Sequence, residues 1–317
     1  MSIYHNFIGI DIGKFSFIVA CHGKNNVKEY ENTSSGISTF FKEFKRELPK
    51  SLVILEATGG YEMELLLSIC DKKIAVHRAN TRKVKSFIRS FGHAAKTDAL
   101  DAKALALYGC ERHKILDLFV PASPHLLTLY TLVQRRHDLR KILVAEKNRS
   151  KGPKAEPIQE SCAIVIQTVE AQMKLISTKI EELIEQDPVL QERQKVLMTI
   201  PGIGKIVSQE LLSLMPELGT LNRKQIACLA GLAPRANDSG KLKGYRSTGH
   251  GRQGVKPMLY LAAMAARNSH SPLKEFYNNL IGRGKKKMVA LTALMRKIIV
   301  IANARLKNLA EGKIITT

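Results

Sequence analysis

Apolar positions in the first 80 residues come mostly in short runs rather than at helical spacing. Residues 6–12 (NFIGIDI) and 15–21 (FSFIVAC) predict two buried strands joined by a Gly13-Lys14 turn. Residues 26–31 predict a third, more exposed strand. The period then changes: residues 36–48 place Phe40, Phe41 and Phe44 on one face of an amphipathic helix. Residues 51–56 (SLVILE) predict a fourth strand that runs into Thr58-Gly59-Gly60. A helix follows through Leu67, and residues 73–77 (KIAVH) predict a fifth strand. Residues 81–90 form a basic helical pattern and residues 98–108 an Ala/Leu-rich one. Three hairpin-connected strands followed by α/β crossovers make a mixed sheet with helices on its faces.

Beyond Pro121 and Pro124 the pattern turns helical. Residues 125–149 and about 160–186 predict two long helices, separated by a break that holds Pro153 and Pro157. Such a pair predicts an antiparallel hairpin or coiled-coil arm, of the kind that commonly holds a partner subunit or else braces its own chain. Residues 196–232 read helix, hairpin, helix, helix, with Ile200-Pro201-Gly202-Ile203-Gly204 as the hairpin. Residues 233–257, rich in Gly, Arg, Lys and Ser, predict a loop. Helices at 257–267 and 288–309 close the chain. The expected organisation is an α/β domain over 1–120, a helical arm over 121–190 and a mainly helical domain over 191–317.

Composition narrows the function classes. The 317 residues carry 50 Lys plus Arg against 28 Asp plus Glu, a formal net charge of +22. Residues 201–317 hold 20 of the basic and 5 of the acidic residues, and between Lys241 and Ala310 the single acid is Glu275. So one-sided a segment repels itself until a polyanion neutralises it, and nucleic acid is the fitting one. Trp is absent and aromatics are 6%, against an aromatic-rich base-stacking platform. No apolar run approaches bilayer length and no secretory signal is evident, so a membrane or secreted protein is not expected. The five scattered cysteines form no CxxC pair, so neither a zinc site nor a disulfide framework is expected.

Four acids stand out. Asp11 interrupts an otherwise apolar strand, where a carboxylate costs several kcal/mol (roughly) unless paired or metal-bound. Glu56 ends the fourth strand. Asp98 and Asp101, three apart at a helix start, share a face; alone they would merely suit the helix dipole. With strands one and four as neighbours and the helix crossing beside them, all four can converge on one point. Oxygen donors without His or Cys suit Mg²⁺ or Mn²⁺, and such ions can align the attacking and leaving oxygens of a phosphodiester.

The basic third offers further candidates. Gly202, Gly204 and Lys205 form a tight turn entering a helix, whose N–H groups can face a phosphate; an ordinary helical turn reads the same. In the loop beyond Gly231, Ser239 lies amid Arg235, Lys241, Lys243, Arg246 and Arg252. A serine there can attack a phosphate while the cations stabilise developing charge. Ser247 is a second candidate on the same terms. Gly249 to Gly254 matches G-x-G-x-x-G literally, but no βαβ unit surrounds it, so no dinucleotide site is expected.

Taken in order, Ile8-Gly9-Ile10-Asp11-Ile12-Gly13-Lys14, Leu55-Glu56-Ala57-Thr58-Gly59 and Lys96-Thr97-Asp98-Ala99-Leu100-Asp101-Ala102 resemble a DEDD set on a RuvC-like, RNase-H-like domain. Pro201-Gly202-Ile203-Gly204, Gly231-Leu232-Ala233-Pro234 and Ser239-Gly240 resemble the C-terminal half of the insertion-sequence family 110 transposases, with their 1111 subgroup and the Piv-type DNA invertases. The resemblance spans nearly the whole chain. It implies a RuvC-like DEDD domain, a coiled-coil arm and a helical transposase domain with a helix-hairpin-helix-like segment. It implies Mg²⁺ on Asp11, Glu56, Asp98 and Asp101, and covalent 5′-phosphoserine chemistry at Ser239, chosen over Ser247 by its Ala-Pro and Ser-Gly flanks. Metal and serine would then belong to one composite site assembled from two protomers. The implied partners are double-stranded DNA at element ends and target, a structured non-coding guide RNA, and further copies of the chain in a homodimer or homotetramer. The implied place is the bacterial cytoplasm, at the nucleoid. The same acids with water as nucleophile would instead make a metal-dependent nuclease or junction resolvase. An actin-like ATPase, hinted at by Asp11-Ile12-Gly13-Lys14, would need a second phosphate-loop domain that the helical, basic remainder does not offer.

Overall fold

The computed structural model describes residues 4–91, 97–153, 155–236, 238–240 and 244–313. The chain divides into two compact units, Met1–Pro121 and Ala122–Thr317.

The first unit is a three-layer α/β domain. Strands β1 (Asn6–Ile12), β2 (Ser16–Cys21) and β3 (Val27–Glu31) run as antiparallel hairpins. After α1 (Ser34–Glu43), β4 (Ser51–Glu56) joins parallel to β1; α2 (Met63–Asp71) then leads to β5 (Ala75–Ala79), parallel to β4. The sheet order is β3-β2-β1-β4-β5, the mixed sheet expected from the pattern. β5 starts later than the apolar run predicts. Lys73 takes a left-handed φ of 57° and its N–H donates to the Cys70 carbonyl at 2.8 Å, so the residues that open the run close α2 instead.

Alternation along the strands sends side chains to two cores. Ile8, Ile10, Ile12, Val53 and Leu55 face a core shared with Phe40 of α1 and Leu65, Leu66 and Ile69 of α2. Phe7, Leu52 and Ile54 face the other, closed by α3 (Thr81–Arg89) through Val84 and Phe87 and by α4 (Asp98–Arg112) through Leu105 and Tyr108.

The second unit is helical: α5 (Pro124–Arg149), α6 (Gln159–Glu185), α7 (Pro188–Met198), α8 (Lys205–Leu214), α9 (Arg223–Leu229), α10 (Val255–Ala266), α11 (Pro272–Gly282) and α12 (Lys287–Ala310). α5 and α6 form an antiparallel hairpin, with Lys147 Nζ 2.7 Å from Glu170 toward its outer end. Leu129, Val133, Ile180 and Ile184 at its base share one apolar core with α7 to α12, so the hairpin belongs to the same unit as the residues after it. α11 is an element the pattern reading leaves as connection. Its apolar positions Leu273, Phe276, Tyr277 and Leu280 recur at helical spacing only within a stretch of polar residues.

Candidate functional site

The period-2 alternation of β1 fixes where Asp11 points. Phe7, Gly9 and Asp11 share the face covered by α4, and so do Leu52, Ile54 and Glu56 on β4. The parallel register runs from Asn6↔Ser51 to Ile10↔Leu55, which places Asp11 and Glu56 side by side one step further on. α4 crosses this face in close contact. A Cβ on Gly9 would lie 2.1 Å from the Ala102 carbonyl oxygen, and one on Gly109 2.1 Å from Ile54 Cδ1. α4 therefore runs antiparallel to β1, with its first turn at the strand ends where the carboxylates sit. Thr97 caps that turn: its hydroxyl oxygen accepts from the Leu100 N–H at 3.3 Å, and Asp98 and Asp101 follow directly.

The electrostatics record the convergence. The Asp11 carboxyl is pushed up to about 6, first by burial and then by the charges of Asp101, Asp98 and Glu56, against a hydrogen bond from the Ile12 N–H. Asp11, Glu56 and Asp101 are half-buried and Asp98 is exposed. Among the described residues none of the four pairs with a basic side chain, and no three His, Cys, Asp or Glu groups stand close enough to enclose a metal ion as they are. Hard oxygen donors that repel one another suit a divalent ion such as Mg²⁺ or Mn²⁺.

Two supporting groups escaped the sequence reading. Glu62, fully buried, accepts from the Thr58 N–H (3.1 Å), the Thr58 hydroxyl (3.1 Å) and the Gly60 N–H (2.9 Å), and from Arg78 Nε of β5 at 3.0 Å. Burial raises its carboxyl, but these partners outweigh that and hold it below the usual range. The Thr-Gly-Gly loop after Glu56 is thereby clamped, with Gly59 and Gly60 in left-handed conformations at φ 84° and 118°. Asn32 gathers the neighbouring turn: its Nδ2 donates to the carbonyls of Gly13 and Tyr61, each at 3.1 Å, and its N–H donates to that of Phe15 at 2.8 Å. Asn32 carries no local mark because its partners lie on separate segments, and Glu62, although two of its partners are the nearby Thr58 and Gly60, draws its charged partner Arg78 from β5.

In the helical unit Ser239 is exposed, followed by Gly240 at φ 53°. Its loop is closed where the Arg235 N–H donates to the Ser247 carbonyl at 2.9 Å. Asp238 stiffens it, accepting from the Gly244 N–H at 3.2 Å and pairing with Arg246 at 2.9 Å. Lys241 and Lys243 lie outside the described residues. The other predicted phosphate contacts divide by what holds them. Gly202, at φ 90°, packs against α10, where a Cβ would meet the Ala262 carbonyl at 2.2 Å. Gly204 caps α8 with open space around it, and Lys205 pairs with Glu181 at 2.8 Å. Arg252 spans the Glu217 carboxylate at 2.6 and 2.8 Å and donates to the Leu214 carbonyl at 2.6 Å, so its fork is taken up inside the protein.

A DEDD transposase model of IS110 type matches residues 8–152, and the model described as Transposase IS116/IS110/IS902 family matches residues 194–278. The chain is 27% identical over 316 residues to the pilin gene-inverting protein of Moraxella lacunata, covering 94% of each chain. The pilin gene-inverting protein of Moraxella bovis is likewise 27% identical over 316 residues, with 94% of each covered. An insertion element IS110 uncharacterized 43.6 kDa protein of Streptomyces coelicolor is 28% identical over 151 residues, 47% of this chain and 36% of that one.

Proposed function

The chain belongs to the IS110/Piv-type family of transposases and DNA invertases, and from that premise we propose that it recombines DNA at the ends of a mobile element under the direction of a structured guide RNA. One observation carries the chemical part: β1, β4 and the first turn of α4 bring four carboxylates to one end of the sheet, where burial first and then the charges of the other three push the Asp11 carboxyl up. Asp11, Glu56, Asp98 and Asp101 would hold Mg²⁺ or Mn²⁺. The ion would supply charge to the phosphoryl oxygens of the strand being cut and to its leaving oxygen.

Ser239 is the nucleophile in this reading. Its Oγ attacks a backbone phosphorus, so an Oγ–P bond forms and the P–O3′ bond breaks. The serine proton passes to solvent or a neighbouring base, and the departing 3′ oxygen takes up a proton as a hydroxyl. The phosphate stays on Ser239 through the 5′ end. A 3′ hydroxyl from another strand then attacks that phosphorus and restores the serine, so strands are exchanged without hydrolysis. Arg235, with Lys241, Lys243 and Arg246 in the same loop, stabilises the charge that develops. Guide RNA, several copies of the chain and a place at the nucleoid complete the proposal. No helix among the described residues is long and apolar enough to cross a membrane.

The test is recombination of a plasmid bearing the element ends in cells supplied with the chain and its non-coding flank. Junction products are expected from wild type, none from Asp11→Ala, Glu56→Ala, Asp101→Ala or Ser239→Ala, and none without the flank. Junctions formed by Asp11→Ala, or without the flank, would contradict the metal or the RNA part respectively.

A further inference from the structure

The loops at the acid-bearing end of the sheet expose two aromatic rings that no core contact explains. Phe15, on the turn between β1 and β2, is 78% exposed, and Tyr61, on the loop after Glu56, is 49% exposed. In a chain with 6% aromatics these are expensive places to leave rings in water. Their backbones are tied together. Asn32 donates from its side chain to the carbonyls of Gly13 and Tyr61, both at 3.1 Å, and from its N–H to the carbonyl of Phe15 at 2.8 Å. The same two loops continue directly from the strand ends that carry Asp11 and Glu56. Lys14 places its ammonium over one face of the Phe15 ring, 5.0 Å from the centroid, so a cation covers that face and a base has the other. A ring for a base, a cation for the adjoining phosphate and carboxylates for a metal-bound phosphate therefore lie along one edge.

We infer that Phe15 and Tyr61 form a stacking edge for unpaired bases of the DNA strand held at the carboxylates. This rests on the recombinase reading above and deepens it by naming the form of the substrate: a strand locally opened, its bases unstacked from the duplex next to the phosphate under attack. Stacking on a ring is tolerant of base identity, so the edge grips any sequence delivered to it. Both rings project from loops whose backbone Asn32 holds through the carbonyls of Phe15 and Tyr61, and neither takes part in the core.

The test uses the full chain with Ca²⁺ and a short single-stranded DNA oligonucleotide carrying 2-aminopurine, whose fluorescence falls when it stacks. Wild type is expected to bind and quench it. Phe15→Ala/Tyr61→Ala is expected to lose the quenching and to bind about tenfold more weakly for each ring removed. Phe15→Trp/Tyr61→Phe should keep both properties, and Phe15→Leu/Tyr61→Leu should resemble the alanine pair, because leucine keeps apolar area without a π face. All are surface changes, and unchanged melting temperatures would show the fold intact. Leucine variants with wild-type affinity would overturn stacking in favour of plain apolar docking. An alanine pair that alters only self-association in sedimentation, or only binding of an RNA oligonucleotide of the same sequence, would overturn the assigned occupant. A wild type that neither binds nor breaks element-end DNA would overturn the recombinase reading and the occupant with it. A wild type that does both, beside an alanine pair unchanged in quenching and affinity, would overturn the stacking edge alone.

Discussion

A carboxylate within a buried strand is tolerated in two ways: it holds a proton, or it faces a cation. Asp11 shows the first tendency in the protein alone, with its carboxyl raised from 3.8 to about 6 by burial and by Asp101, Asp98 and Glu56. Between those values the folded chain holds a proton that the unfolded chain has released, so this residue's contribution to stability falls as pH rises through about 4 to 6. Two outcomes are expected. Without divalent ions at pH 7.5, Asp11→Asn melts higher than wild type, by about 1 kcal/mol after discounting for partial exposure, or roughly 2–4 °C. With Mg²⁺, wild type gains melting temperature at pH 7.5 and little at pH 5, while Asp11→Asn gains little at either; calorimetry at the two pH values reads both. Glu62 is the opposite kind of buried acid, satisfied on every side. Glu62→Gln should destabilise by about 2 kcal/mol, because Arg78 and the Thr58–Gly60 loop lose a charged acceptor. Urea unfolding checks it, and an unchanged midpoint would mean that the clamp contributes nothing.

Among the elements, α4 decides whether the acids meet. Its approach to β1 is backbone to backbone at Gly9, whereas at Gly109 a Cβ would meet side chains alone, Ile54 Cδ1 at 2.1 Å and Cγ1 at 2.7 Å and Phe7 Cδ1 at 3.6 Å. Gly9→Ala must displace the helix and carry Asp98 and Asp101 with it. It should cost about 1–3 kcal/mol and abolish recombination, while Gly109→Ala should be milder in both because Ile54 can change rotamer. Equal effects in melting and recombination assays would contradict this ordering. The elements also show how far the sequence can be read. Strands with an uninterrupted apolar run, β1 and β4, and helices with a clear stripe are legible because burial imposes a period, and Asp11 is legible because it breaks one. The start of β5 was not, since the Lys73 turn overrides an apolar run. α11 was not, since its stripe is diluted by polar residues. Asn32 is illegible for a different reason: it gathers carbonyls from segments brought together only by the fold, and Glu62 is illegible because the Arg78 charge that justifies its burial comes from β5.

At the scale of the whole molecule, charge sets the partner. A net charge of +22, most of it beyond residue 200, favours a polyanion, and binding through phosphates releases counterions. DNA affinity measured by fluorescence anisotropy should fall roughly a thousandfold or more as salt rises from about 50 to 200 mM; a flat response would mean that the basic segment is not the contact. Part of that charge is already spent within the protein, as at Arg252 with Glu217 and Lys205 with Glu181, so Arg252→Ala should lower stability more than DNA affinity. The central chemical proposal is that Ser239 is the nucleophile and that its attack requires the divalent metal of the carboxylates. It is tested most directly by mixing the full chain, its guide RNA, Mg²⁺ and end-labelled DNA carrying the element end, then denaturing and resolving the products on a gel. The account predicts a denaturation-resistant protein–DNA band that is absent from Ser239→Ala and from Asp11→Ala. Cut DNA with free ends and no such band would contradict it, and would assign the attack to water.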